Sequence, residues 1–359
     1  MTYYKNWRLS NKKIIILTTH NFSFMKKLFT YRLWILMILS NCLIFSCQEK
    51  KYDWEPGISG AIYYPIAGDV NFGNAGYGSG AGFSNCWGWG NTYGAIVSAN
   101  KYKAIPKEVY IDYYSVVDRL NFEGKIPLPQ EKLKKLFKKY SDESVRLVVG
   151  MAPGGWIRVW FSVYDENVDN YINLELAKAK LDGHIDESVG IGLRTKDYET
   201  WGDAYTYWQL HGIPYEAWAQ NEKEYNILVM DVERTNPQYE CQSLDYSSLD
   251  GSVYYLYPFD TFFKSKLPAD MMVHWKSKKT NILYDTHLTI PKSVNKVIEK
   301  RNPKKITLRL EIEEDEQHGI IYINTGRKEE KWLRFKNYPA DTTTIGRNGF
   351  TKDIEYFIK

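Results

Sequence analysis

Histidine and cysteine, the side chains most used for metal binding and nucleophilic chemistry, are scarce in this chain, at six and four among 359 residues. No CxxC pair and no Cys/His set at zinc-ligand spacing occurs, which argues against a zinc site. There is no Walker A lysine loop, no HExxH helix and no GxSxG elbow. The stretch Gly76-Tyr-Gly-Ser-Gly-Ala-Gly82 lacks the GxGxxG spacing, and no helical stripe follows it, so it reads as a turning loop and no cofactor is implied. No apolar run reaches the roughly 20 residues a bilayer span requires. Acidic residues are missing from positions 1–46, where seven Lys/Arg stand. Without that stretch, 40 basic residues face 43 acidic ones, a net charge of −3. The overall +4 is therefore a feature of the N-terminus, and the basic footprint of a nucleic-acid binder is absent.

What is present begins at Met25, which reads as the true start. Lys26 and Lys27 form a basic region, and an apolar run follows from Leu33 to Phe45. That is the layout of a secretory signal, and residues 1–24 read as a stretch from an upstream start codon chosen in error or as an extended n-region. The run ends Leu43-Ile-Phe-Ser-Cys47, with an apolar residue at minus three, a small one at minus one and cysteine at plus one. This resembles the lipobox of bacterial lipoproteins. The resemblance implies that Cys47 is the acylated, palmitate-bearing first residue of a protein anchored in the cell envelope, at the outer membrane, without spanning it. The alternative is a transmembrane anchor with an incidental cysteine.

Residues 47–57, polar and ending Pro56-Gly57, read as a lipid-anchored tether. Two cysteines remain in the body, Cys86 and Cys241. In an oxidising compartment they form one long-range disulfide, or they are two buried thiols.

The chain resembles itself. Ile105-Pro-Lys-Glu-Val-Tyr-Ile-Asp-Tyr-Tyr-Ser115 aligns without gaps to Leu267-Pro-Ala-Asp-Met-Met-Val-His-Trp-Lys-Ser277, and the register holds through Pro129 and Pro291. After each second proline an i, i+3, i+4 stripe follows: Leu133, Leu136, Phe137 in one copy and Val294, Val297, Ile298 in the other. The prolines suit the first turn of these helices. Strand-like runs flank each helix, with Val145–Val149 and Trp156–Trp160 joined by the turn-forming Gly150-Met-Ala-Pro-Gly-Gly155. The expected fold is α+β, mostly antiparallel β, with two pseudo-repeats of strand–strand–helix–strand–strand. The expected organisation is a first repeat over 58–165 with a Gly/Trp-rich segment, a connecting segment over 166–250, a second repeat over 251–338 and a polar tail over 339–359.

The lipobox, the Cys86-Trp-Gly88 segment, the 105–115 block, the Gly150–Gly155 turn with Trp156 and Trp160, and His211-Gly-Ile-Pro-Tyr-Glu-Ala-Trp218 together resemble the bacterial lipoprotein family known as domain of unknown function 2931. The resemblance covers most of 58–330 and implies a lipoprotein with no assigned activity, so no catalytic residues carry over.

Aromatics are the compositional excess, at 16% of the chain. Trp87 and Trp89 sit among glycines, two residues apart. In extended backbone they would face one side and make an apolar platform for a protein or glycan partner, or else they cover the core. The body histidines, His184, His211, His274, His287 and His318, read as ordinary surface or strand residues, and the acidic run Glu311–Glu316 as a solvated hairpin loop. The function expected is a non-enzymatic binding role at the envelope, toward glycan or as an immunity-type inhibitor of an envelope toxin. The alternative is a carbohydrate-active hydrolase using paired carboxylates, which need no sequence motif.

Overall fold

Apolar and polar residues alternate where the chain is extended. Val109, Ile111 and Tyr113 are buried while Tyr110 and Asp112 between them are not. Met271, Val273 and Trp275 face a core while Met272, His274 and Lys276 face away. That period of two sets a strand with one covered face. In Val145–Ala152 and Trp156–Asp165 burial is nearly continuous, the pattern of strands covered on both sides.

The computed structural model describes residues 50–80, 87–92, 94–166, 170–220, 223–255, 261–340 and 349–358, together with Arg32 and Trp34. The chain divides into two compact units, Met1–Lys51 and Tyr52–Lys359, and among the described residues every strand lies in the second. The first half of this second unit runs β1 (Tyr52–Asp53), β2 (Glu55–Gly60), β3 (Ile66–Asn71), β4 (Gly76–Gly80), β5 (Ala95–Ser98), β6 (Tyr102–Lys103), β7 (Glu108–Ser115), β8 (Leu120–Pro127), α1 (Gln130–Lys139), β9 (Val145–Ala152), β10 (Trp156–Asp165), β11 (Asn170–Lys180) and β12 (Gly183–His184). Short helices come next, among them α2 (Asp203–His211) and α3 (Tyr215–Ala219). The second half runs β13 (Tyr225–Met230), β14 (Tyr239–Ser248), β15 (Val253–Tyr255), β16 (Phe263–Ser265), β17 (Pro268–Ser277), β18 (Leu283–Thr289), α4 (Lys292–Arg301), β19 (Lys305–Ile312), β20 (His318–Asn324), β21 (Glu329–Lys336) and β22 (Ile354–Tyr356).

The described residues are thus mostly β, in largely antiparallel sheets, with few helices. In the first half, sheet β11-β10-β9-β2 and sheet β12-β8-β7-β3-β4-β5 enclose one core. In the second half, β16-β13-β19-β20-β21-β22 and β15-β14-β17-β18 enclose another. Two pairs are parallel, β2 with β9 and β13 with β19. The folded body starts at Tyr52, inside the stretch 47–57 expected to be tether. Trp54 is 1% exposed and β2 lies beside β9, so these residues pack. Pro129 and Pro291 stand at the N-caps of α1 and α4, one position before the first turn.

A third cluster forms a seam of aromatic rings between the halves: Tyr64, Trp89, Trp160, Tyr207, Trp208 and Trp218, with Ala61 and Ala269. Its hydrogen bonds cross long sequence separations. Trp218 Nε1 donates to the Asp250 carbonyl at 2.9 Å, and Tyr64 Oη to the Gly212 carbonyl at 2.8 Å. The Gly251 carbonyl accepts from Trp89 N at 2.8 Å and Ile62 N at 3.2 Å. Gly251 has φ of 78°, and a Cβ there would meet that of Ala61 at 2.6 Å, so only glycine lets the two backbones approach.

In α1, Leu133 is fully buried and Phe137 1% exposed, while Leu136 is only partly covered. Leu133→Ala is expected to lower unfolding stability by about 2–5 kcal/mol, as large-to-small core changes do. Leu136→Ala should cost clearly less. Chemical denaturation of the two variants beside the parent checks the ranking.

Candidate functional site

The polar face of the sheet β15-β14-β17-β18 gathers two histidines with several serines and aspartates. Its other face supplies Leu244, Tyr246, Met271, Val273 and Trp275 to the core, and the period of two sends Ser243, Asp245, Ser247, Asp270, His274, Asp285 and His287 to the opposite side. Register makes neighbours of them: Ser243 opposes His274, His274 opposes Asp285, and Ser247 opposes Asp270.

At one end of the face, His287 and Asp270 are both nearly inaccessible, at 4% and 3% exposure, and His287 Nε2 lies 2.9 Å from Asp270 Oδ2. Tyr63 Oη donates to the same oxygen at 2.9 Å and stands 3.2 Å from His287 Nε2. Ser247 Oγ donates to Asp270 Oδ1. Burial, reinforced by the Asp270 charge, raises the Tyr63 pKa well above the ordinary phenol range, so the hydroxyl keeps its proton and stays a donor. Tyr63 holds φ of 66°, a left-handed backbone that bulky residues rarely adopt. The Phe350 ring covers His287 with centroids 3.9 Å apart.

At the other end, Ser243 Oγ is 2.9 Å from His274 Nδ1, and His274 Nε2 is 2.7 Å from Asp285 Oδ1. The second contact is close but lies off the ring N–H axis. Asp285 is buried, while His274 and Ser243 reach the surface in part. Between the two ends stands Asp245, whose pKa is raised by burial, against the pull of His274 and with the push of Asp270. None of these residues was singled out by the sequence, where His274 and His287 read as ordinary strand histidines. The signal available was a two-residue alternation, Asp270-x-Met272-x-His274 and Asp285-x-His287, on strands whose other face is apolar.

The residues that were singled out fall elsewhere. Cys47 and Cys86 lie outside the described residues. Cys241 is a free, buried thiol in β14, pushed up to about 12 by burial and then by Asp231, Glu233 and Asp245. The tryptophan pair is split, and the expected two-ring platform does not form: Trp87 is 60% exposed, whereas Trp89 is 8% exposed and packs edge-on against Trp160 at 5.1 Å. The cause is Gly88, whose φ of 101° breaks the extended alternation and whose missing side chain lets the backbone press on Val253. In the acidic hairpin, Glu313, Asp315 and His318 converge closely enough to share a cation, but Glu313 is engaged through both oxygens by Arg334.

A pocket of about 380 Å³ opens between α3, the start of β13 and one side of α4 from Lys292 to Glu299. Leu249, Leu267, Ala269 and Ile290 give it apolar walls, and Glu216, Lys223, Lys266, Lys292 and Glu299 add charges of both signs.

Comparison with known families reaches most of the first half. Residues 46–216 match the family described as protein of unknown function, DUF2931. The family stretch includes Tyr63, Trp87, Trp89 and the Gly150–Gly155 turn, and it ends at Glu216 in α3, short of the 58–330 extent expected. The histidine–aspartate face of the second half lies beyond it. No curated protein matches the chain. Among the described residues no helix is long and apolar enough to cross a membrane.

His211 packs against Tyr207 with ring centroids 4.2 Å apart, and among the described residues neither ring nitrogen has a hydrogen-bond partner. Burial holds its pKa down at about 4 against the usual 6.5, with Asp270 pulling weakly the other way. Because the folded value is depressed, the unfolded chain binds the extra proton between these limits. The stability that neutral His211 contributes is full above pH 6.5 and is lost as pH falls toward 4. His211→Gln should therefore flatten the fall in stability across that window by up to about one proton per molecule. Denaturant titrations at stepped pH measure it.

Proposed function

We propose that the protein is a lipid-anchored component of the bacterial cell envelope, held through acylated Cys47, which binds an envelope glycan in the pocket between α3 and α4. The anchor rests on the ordered basic, apolar and lipobox segments, and is compatible with a folded unit that begins at Tyr52, five residues after the cysteine. The observation that carries the binding reading is the pocket itself. Its volume is at the size used for small ligands, and its apolar walls and two-signed rim suit a ring compound bearing hydroxyl and amide groups. A second reading, a protein partner such as an envelope toxin, rests on the exposed Trp87 ring.

We also infer that the α+β body is a pseudo-repeat. What supports this is the ungapped sequence block and the shared order of pairing: a strand parallel to the one after the helix, a hairpin of two strands before the helix, and two further antiparallel strands after it. A duplication concerns architecture and carries no chemistry by itself.

Two experiments test these proposals. Cys47→Ser should shift the protein from the membrane to the soluble fraction and abolish incorporation of labelled palmitate; a Cys47→Ser protein that still takes up label contradicts the anchor. Ala217→Trp should fill the pocket from α3. Calorimetric titration with N-acetylglucosamine oligosaccharides should show saturable binding to the parent and affinity about ten-fold or more lower in the variant. The melting temperature should stay within a few degrees. Equal affinity in both proteins, or no binding by the parent, excludes the pocket reading.

A further inference from the structure

We propose that Ser243, His274 and Asp285 form a nucleophilic triad able to hydrolyse small uncharged carboxylic esters. The inference goes beyond the glycan-binding reading and does not rest on it, since the pocket and the triad use different residues.

The placement comes from strand register. The three residues sit on adjacent strands, β14, β17 and β18, and oppose one another in pairs. A break in register between Cys241 and Ser243 leaves Gln242 unpaired, and this bulge is what brings Ser243 opposite His274. Were Gln242 paired in regular register, Ser243 would oppose Val273 and turn to the core face. Bulges of this kind commonly re-aim a side chain beside a site.

Burial is graded in the sense the chemistry needs. The Asp285 side chain is 3% exposed and that of His274 12%, and Ser243 is half-buried at the outer end. With Asp285 taking the proton-bearing Nε2 side, Nδ1 presents its lone pair to the Ser243 hydroxyl at 2.9 Å. A small rotation of the ring brings Nε2–H onto the carboxylate, an adjustment usual when substrate is absent. The neighbouring pair, His287 with Asp270, has a serine too, but Ser247 donates to Asp270 and is only 2% exposed, so it offers no attackable position.

The steps balance with water as the only co-reactant. Ser243 Oγ attacks the acyl carbon while its proton passes to His274 Nδ1. The tetrahedral adduct collapses, the C–O bond to the alcohol breaks, and the alcohol leaves with that proton. Water then attacks the acyl-serine, giving its proton to Nδ1. The acid departs, and Ser243 recovers its proton. The substrate class follows from the surroundings. Asp245, Asp270 and Asp285 share the face with Ser243, so anionic esters are repelled and neutral ones admitted.

The test uses the full chain in its folded state, a fluorophosphonate probe with peptide mass analysis, and hydrolysis of p-nitrophenyl acetate. The expected result is a covalent adduct on Ser243, no adduct at that position in Ser243→Ala, and ester turnover lost with it. His274→Gln should slow labelling about a hundred-fold, the usual worth of a general base. Ser243→Cys, close in size, guards against a folding defect and should react with iodoacetamide faster than the Ser243→Cys, His274→Gln double variant. An unlabelled Ser243 in the parent, or labelling indifferent to His274, overturns the proposal.

Discussion

The contact on which the rest of the second-half face depends is the aromatic seam closed at Gly251. Each half has a core of its own, and either could in principle be covered without the other. The seam forces them together: one glycine carbonyl receives two backbone donors from the first half, and the indole nitrogens of Trp208 and Trp218 reach carbonyls 145 and 32 residues away. Buried amphipathic rings need a partner for the polar end, so each such bond fixes a direction as well as a depth. Trp208 and Tyr207 pin Tyr63 by its carbonyl and by its ring, with Tyr63 and Tyr207 stacked at 4.4 Å. Its strained backbone is held by these neighbours, and its hydroxyl arrives over Asp270.

That arrival matters energetically. A buried carboxylate and imidazole recover their desolvation cost only when geometry is good and remaining hydrogen-bonding capacity is met. Asp270 meets this with Tyr63, Ser247 and His287. The corresponding strands of the first half bear no such burden. Asp69 and Glu123 there are exposed and Asp112 is only partly buried, and the contact of Asn121 Nδ2 with Asp112 at 2.8 Å is likewise only partly buried. Similar strand geometry thus supports a solvated charged surface in one half and an enclosed polar network in the other. The difference is what lies on top.

Sequence patterns reach as far as periods do. The stripes at Leu133/Phe137 and Val294/Ile298 were readable because a helix repeats within its own length, and both pairs are buried. The strand alternation at Val109/Ile111/Tyr113 was readable for the same reason. The onset of the fold was not, since Trp54 lies in an otherwise polar run and is covered by elements far along the chain. The two parallel pairings join strands about 80 to 90 residues apart, with nothing local to announce them. Trp87 and Trp89 were assigned one side on the assumption of extended backbone, which Gly88 breaks. Ser243, His274 and Asp285 stand 31 and 11 residues apart, and their meeting is a property of register and of one bulge.

Phe350 lies over His287, and Thr351 N donates to the His287 carbonyl at 2.8 Å. These two residues come after every other member of the polar face in the chain. A polypeptide grows from its N-terminus, so the sheet carrying Asp270 and His287 can pair before its cover exists. Until residues near 350 have been synthesised and folded back, the buried pair is wet. The interior of this face is therefore dried late, by a segment that follows every strand of its own sheet in the chain, and the order of synthesis is written into which polar groups are last to lose their water.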